Sequence, residues 1–166
     1  MNRSVRVALM LGGLVLGMAA STLAQTDTAN LSVSTSVSKN CSITTTPVAF
    51  GAYDPVGANV TTPLDARGAV IVTCTKDAGT RIDLNAGANA SGSVRRMAGG
   101  GDFLTYGLYQ DTTRTTVWGS GSGAGQTITG APSKAPRTFT VFGRVPAGQD
   151  VVAGAYADTV VATINF

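Results

Sequence analysis

The 166-residue sequence contains no histidine and no glutamate. These are the side chains that most often act as general acids or bases, so their absence excludes Ser-His-Asp and Cys-His devices within one chain. Nine aspartates remain, and most of them stand beside turn residues, where aspartate forms local hydrogen bonds. We therefore predict that the protein is not an enzyme.

Signals for metals and cofactors are also missing. Two isolated cysteines without any histidine lack the paired spacing that zinc sites use. The glycine runs at 99–101 and 119–125 lack the Lys-Ser/Thr ending of a phosphate loop and the spacing of a dinucleotide fingerprint. We predict flexible loops at both runs, with no cofactor.

The first 24 residues have the features of a cleaved signal peptide. Arg3 and Arg6 form a positive n-region, residues 7–20 are small and apolar, and TLA at 22–24 suits signal peptidase. The apolar run is shorter than the roughly 20 residues that a membrane-spanning helix needs. Removing 24 of 166 residues leaves 142, enough for one domain with a core.

The charge balance gives no support for a nucleic acid partner. Two of the twelve basic residues lie in the predicted signal, which leaves ten against nine acidic residues, a net charge of +1. No basic patch large enough to attract phosphates or an anionic membrane is present. We expect the adjacent pair Arg95 and Arg96 to be a solvated surface spot.

The two cysteines, Cys41 and Cys74, belong to a chain that is predicted to leave the cytoplasm. An even pair of cysteines in an exported chain predicts a disulfide. Closing a loop of this size contributes about 3.5–4 kcal/mol on the chain-entropy estimate.

The composition favours strands over helices, because threonine and valine fill the periodic segments and glycine, at 21 residues, punctuates them. Short alternating runs separated by turn signals predict an all-β protein, either a β-sandwich or a small closed sheet. The predicted strands are 31–43, 48–53, 69–74, 81–85, 103–110, 126–129, 137–145 and 156–166.

Two of these runs also predict which side chains share a face, because side chains alternate along a strand. In the run 137–145 the shared face consists of Phe139, Val141, Gly143 and Val145, with Phe142 opposite. In the run 156–166 it consists of Tyr156, Val160, Ala162, Ile164 and Phe166, with Val161, Thr163 and Asn165 opposite.

The segment 31–37 has one apolar face, formed by Leu31, Val33 and Val37, which alternate with serines. Such a segment is either a resident strand of its own sandwich or an arm that another molecule accepts. Periodicity does not separate these two interpretations, because a donated strand and a resident strand look alike.

Nine short blocks along residues 31–166 resemble the spore coat protein U family, which includes the pilin subunits of archaic chaperone-usher pili. The blocks are NCSI at 40–43, PVAFGAYDP at 47–55, VTCT at 72–75, LNAG at 84–87, RRM at 95–97, LTYGLY at 104–109, TVWG at 116–119, RVPAGQ at 144–149 and GAYADTV at 154–160.

This resemblance implies an incomplete immunoglobulin-like β-sandwich that a donated N-terminal strand from a neighbouring subunit completes. It implies a signal peptide at 1–24, a donor-strand arm at 25–39 and a pilin domain at 40–166. The donor residues would be Leu31, Val33, Thr35 and Val37, although Thr35 is polar where a small or apolar residue is expected and Lys39 interrupts the face. The last strand, with Val160, Ala162, Ile164 and Phe166 on one face, would pair with the chaperone.

The partners implied by the resemblance are identical or related pilin subunits, a periplasmic chaperone and an outer-membrane usher. The protein would pass through the periplasm of a Gram-negative bacterium to a surface fimbrium or coat, with a role in adhesion or biofilm formation. The alternative is a self-complete secreted β-sandwich that acts as a coat or binding module.

Overall fold

The computed structural model describes residues 24–121, 124–128 and 130–166. Nearly all of the predicted signal peptide therefore lies outside the described residues. The chain divides into two compact units, Met1–Thr35 and Ser36–Phe166. In the first unit, residues 24–35 have no assigned strand or helix and their side chains are exposed. Among the described residues, no helix is long and apolar enough to cross a membrane.

The second unit is all-β, as predicted. Within the described residues it has eight strands and no helix. The strands are β1 (Cys41–Thr46), β2 (Leu64–Cys74), β3 (Thr80–Leu84), β4 (Arg95–Gly99), β5 (Asp102–Tyr109), β6 (Gln126–Ile128), β7 (Arg137–Val145) and β8 (Ala162–Asn165).

These strands form two antiparallel sheets, one with the order β1-β2-β7-β5-β4 and one with the order β6-β3-β8. Side chains from both sheets join one core, in which Val70, Val72 and Val141 of the larger sheet pack with Ile82 and Leu84 of the smaller one. The two sheets therefore form a sandwich. Trp118 is fully buried in the same core and donates its ring N–H to the backbone oxygen of Ile82, at 2.9 Å.

Alternation decides which face of each strand is buried. In β7 the side chains of Val141 and Val145 are buried, Phe139 is half-buried against the core, and Phe142 faces away beneath the guanidinium groups of Arg67 and Arg114. The face predicted from the sequence is therefore confirmed. The disulfide joins Cys41 and Cys74, which lie directly opposite each other where β1 meets the end of β2.

Three sequence predictions are wrong in detail. Residues 31–40 and 48–53 are not assigned to strands, because none of the described strands pairs with them. The glycine run at 99–101 is a tight hairpin between β4 and β5 rather than a flexible loop. Gly100 and Gly101 have φ of 60° and 87°, the left-handed conformation that this two-residue turn requires.

The prediction for Arg95 is also wrong, because this side chain is buried rather than solvated. It lies on β4, which the sequence did not predict, and its guanidinium donates to the backbone oxygens of Leu84, Asn85 and Trp118 at 2.7–3.0 Å. Burial lowers the pKa of the guanidinium. Arg95 thus holds the end of β3 against the segment that carries Trp118.

Replacing Arg95 by methionine should lower the free energy of unfolding by about 2–4 kcal/mol, because buried backbone oxygens then lose their donors. The adjacent Arg96→Met is the matched control. Arg96 lies over the exposed ring of Phe103, at 4.0 Å from its centroid, and donates one hydrogen bond to the backbone oxygen of Asn89, so its loss should cost less, about 1–1.5 kcal/mol. Urea unfolding of both variants measures the difference, and equal losses would contradict the role assigned to Arg95.

Candidate functional site

An open groove runs along one side of the sandwich, between residues 45–53, which begin in the last two residues of β1, and residues 151–162, which end at the first residue of β8. Two adjacent cavities of about 500 and 590 Å³ form it. They share Val48, Phe50, Met97 and Tyr156, so the groove is continuous. We call residues 45–53 the first wall and residues 151–162 the second wall.

The floor of the groove is the hydrophobic core itself. Buried side chains from both sheets line it, namely Val70, Leu84, Leu104, Tyr106, Leu108, Val141 and Val145. A sandwich that is closed on this side covers such side chains with a further strand. In this chain two cavities lie above these side chains instead.

The second wall alternates as the sequence predicts. Its half-buried side chains are Tyr156, Asp158, Val160, Ala162 and, within β8, Ile164, whereas Val161, Thr163 and Asn165 are exposed. Phe166, which was expected on the inner face, is 54% exposed. The regular strand is also shorter than predicted, since β8 covers Ala162–Asn165 alone.

The backbone of the second wall is hydrogen-bonded on one edge. Ala157 exchanges two bonds with Ala98, Thr159 accepts from the N–H of Ala88, and Val161 accepts from the N–H of Asn85. In an extended chain the backbone groups of alternate residues point to opposite edges. Those of Tyr156, Asp158 and Val160 therefore point toward the groove, and no backbone partner for them exists among the described residues.

The first wall is held by side chains instead. Within the described part of the chain, residues 47–53 form no hydrogen bond between backbone groups. Val48 and Phe50 pack onto the bare backbone of Gly143, where a Cβ would lie 2.6 Å from Val48 and 2.8 Å from Phe50. The Tyr53 hydroxyl donates to the backbone oxygen of Pro146 and accepts from the N–H of Gln149.

One charged group lies in the mostly apolar lining. The Tyr106 hydroxyl donates to Oδ2 of Asp158 at 2.7 Å, and the backbone and side-chain N–H groups of Asn89 donate to Oδ1. Burial, and then the bond to Asp158, raise the pKa of Tyr106 well above its usual value, so its phenol stays protonated. The Asp158 carboxylate therefore lies in the second wall with its protein donors already in place.

A salt bridge on β3 supports its neighbour β8. Arg81 of β3 binds Asp83 at 2.9 Å, and the side-chain amide of Asn165 donates to the same carboxylate. The hydrogen bond from Arg81 holds the pKa of Asp83 below its usual range. Within the described residues, no cluster of three or more candidate ligands that could hold a metal ion is present.

The predicted donor segment carries exposed aliphatic side chains. Leu31, Val33 and Val37 are 80–88% exposed, which is unusual for three aliphatic residues on one face of a short segment. Exposure of these side chains leaves the predicted donor role untested. The disulfide at Cys41 anchors the chain immediately after this segment.

The model of the Spore Coat Protein U domain matches residues 27–163. "Protein U" of Myxococcus xanthus is 41% identical over 157 residues, which cover 86% of this chain and 87% of that protein. A solved complex of a chaperone and a tip adhesion subunit, CsuC-CsuE from the archaic chaperone-usher Csu pili of Acinetobacter baumannii, matches with a TM-score of 0.56. At 20% identity, this likeness covers 78% of our chain but only 40% of the solved chain, and it shows the immunoglobulin-like fold.

Replacing Gly143 by alanine should destabilise the protein by about 1–3 kcal/mol, because Val48 and Phe50 must move to admit the methyl group. Gly79 is the control, since it is exposed and open space surrounds its Cβ position. Gly79→Ala should change the free energy of unfolding by about 0.5 kcal/mol or less. Equal urea midpoints for the two variants would show that the first wall does not rest on Gly143.

Acid should weaken the support of β8. A carboxyl whose pKa is lowered by folding contributes stability above its unfolded pKa of about 3.9, and this contribution disappears as the pH falls through the folded pKa. Asp83→Asn should therefore be less stable than the parent protein at about pH 6, and the two should converge toward about pH 2. Urea unfolding across this range checks it, and a constant gap would contradict the assignment.

Proposed function

Because the chain belongs to the Spore Coat Protein U domain family, we propose that it is a structural subunit of a bacterial surface pilus or coat fibre that polymerises by donor-strand exchange. Each subunit inserts residues 31–37 into the groove of a neighbouring copy. The observation that carries the proposal is the groove itself, with core side chains along its floor and, on its second wall, a backbone edge that has no backbone partner among the described residues.

The groove has the chemistry that a β-strand satisfies. An added strand supplies N–H and C=O groups to the free edge of the second wall, and its alternate side chains cover the apolar floor. A globular partner surface without an extended segment does not reach both features at once. The ligand that fits best is therefore an extended peptide with one apolar face.

Residues 31–37 have this form. Their seven residues extend over about 23 Å, the length of the seven residues 156–162 that would pair with them. Leu31, Val33, Thr35 and Val37 would face the floor in succession. Burying the three aliphatic side chains contributes on the order of 5–8 kcal/mol before ordering costs.

Until a neighbour arrives, the open groove needs protection, because exposed strand edges and apolar surfaces aggregate. We propose that a periplasmic chaperone covers it, that an outer-membrane usher exchanges the chaperone for the next subunit, and that the route ends at the surface of a Gram-negative cell. The likeness to a subunit in a chaperone complex of archaic pili supports this route. A role in adhesion or biofilm formation is the expected use of such a fibre.

The family and the fold are those of structural pilin and coat subunits and not of enzymes. The sequence agrees, since neither histidine nor glutamate is available for acid-base chemistry. The protein would act through assembly alone.

Deletion of residues 27–38 should abolish polymerisation. The exported protein, produced with its neighbouring secretion genes, should give a ladder of multimers on an unheated denaturing gel, and the truncated chain should give a monomer. If the full chain is already a monomer and the truncation unfolds it, the segment belongs to its own domain. The protein would then be a self-complete coat or binding module.

Single substitutions give a sharper control than the deletion. Val33→Asp places a charge on the apolar face of the arm, and burying that charge in the groove should abolish the ladder. Ser34→Asp places the same charge one residue later on the opposite face, where it stays in water. Loss of the ladder in both variants, or in neither, would contradict strand insertion with this facing.

A further inference from the structure

The groove contains one charged side chain, and the inserted face of residues 31–37 contains one polar side chain. Asp158 is the single charged residue among the described residues that line the two cavities. Within residues 31–37, Thr35 is the one polar member of the face that also includes Leu31, Val33 and Val37. A polar group that enters an apolar groove without a partner is costly, so the position of each limits where the other can lie.

Asp158 has room for one more donor. Its carboxylate accepts three hydrogen bonds, one from Tyr106 and two from Asn89. A carboxylate has about four acceptor positions. Its place on the inner row of the second wall, between Tyr156 and Val160, directs it to the groove that the arm would fill.

We infer that the Thr35 hydroxyl of one copy donates a hydrogen bond to Asp158 of the next copy, and that this pair sets the register of the inserted strand. The inference rests on the proposed strand exchange and adds to it the residue pair that decides the alignment. It assigns a specific role to the threonine that interrupts the apolar face of the arm.

The resulting register pairs the other residues well. All strand pairs described in the two sheets are antiparallel, and we take the same direction for the arm. With Thr35 opposite Asp158, the directly facing pairs are Leu31 with Ala162, Val33 with Val160 and Val37 with Tyr156. The largest aliphatic side chain of the arm then faces the smallest side chain of the inner row.

The same register explains Lys39, which interrupts the apolar pattern of the arm. It falls opposite Gly154, within the exposed stretch 152–155 of the second wall. No atom of the described residues except those of Gly100 lies within 4 Å of the position that a Cβ on Gly154 would take. Gly154 lines the second cavity at an exposed position, from which the lysine ammonium reaches water.

Other registers should bind less tightly, because they place polar and apolar groups against the wrong partners. A shift by one residue turns the serine face of the arm toward the core. A shift by two places Val37 or Val33 against the Asp158 carboxylate and moves Thr35 beside Val160 or Tyr156. Both shifts leave the carboxylate without its additional donor and bury the hydroxyl without its acceptor.

The direction in which one substitution changes the rate of fibre dissociation tests the Thr35–Asp158 pair. Thr35→Val keeps the shape of the side chain and removes its hydroxyl, so fibres should dissociate about tenfold faster in denaturant, as expected for loss of a hydrogen bond to a charged group. If Thr35 faces an apolar surface instead, valine buries better and dissociation slows. Slower or unchanged dissociation would overturn the inference. Thr35 belongs to the first unit, so the β-sandwich of the variant is unaltered.

Introduced cysteine pairs on the outer faces of the arm and the second wall measure the register directly. The inferred alignment places Ser34 opposite Thr159 and Ser32 opposite Val161, with Cα atoms about 4.5–5.5 Å apart, which is within reach of a disulfide. Chains carrying S34C with T159C, or S32C with V161C, should form covalent ladders that resist heating without reductant. The single-cysteine chains, which retain Cys41 and Cys74, control for disulfide exchange.

The outcomes separate the two proposals. A ladder from S34C with V161C or with A157C, and none from S34C with T159C, would mean a register shifted by two, which overturns the Thr35–Asp158 pair and leaves strand exchange standing. No covalent ladder from any pair, together with polymerisation of a separate chain that lacks residues 27–38, would overturn both. A ladder from S34C with T159C without one from S32C with V161C would overturn the antiparallel direction.

Discussion

The backbone edge of residues 156–162 that faces the groove is the constraint on which the rest of the structure depends. Peptide groups that water does not reach must be hydrogen-bonded, and an edge strand over an open core is stable only while it stays wet or gains a partner. Here the opposite edge is satisfied by Ala98, Ala88 and Asn85. The second wall is therefore fixed in an extended form while its free edge stays unpaired, which is the arrangement that an incoming strand needs.

A short chain of hydrogen bonds connects the second wall to Arg95. Arg95 binds the backbone oxygen of Asn85, whose own N–H and side-chain oxygen bind the backbone of Val161. A buried guanidinium with neutral carbonyl partners is costly to desolvate, and its several donors in one rigid fork offset that cost. The interior charge thus orders the loop that holds the second wall, and the groove keeps its shape without a strand in it.

Sequence patterns predicted the all-β class, most of the strand positions, the disulfide pair and the inner row of the second wall, because alternation and turn residues act locally. They did not predict β4, since Arg95-Arg96 looks like surface until tertiary contacts supply the carbonyl partners. They assigned strands to 48–53 and 31–40, where the side chains alternate but none of the described strands pairs with the segment. Alternation reports a face to be buried and does not say which molecule buries it.

Apolar complementarity alone does not define how far a strand slides along a groove. A row of aliphatic side chains meets an equivalent row after each shift of two residues, so the hydrophobic term changes little between such registers. A single buried polar pair makes the binding free energy depend steeply on the register, because a mismatch leaves both a donor and an acceptor unsatisfied. A polar residue in an otherwise apolar interface fixes the register of coiled coils in this way, at some cost in affinity. Asp158, held by Tyr106 and Asn89 before any strand arrives, gives the groove the same property, since it is already oriented toward the row that the strand must occupy.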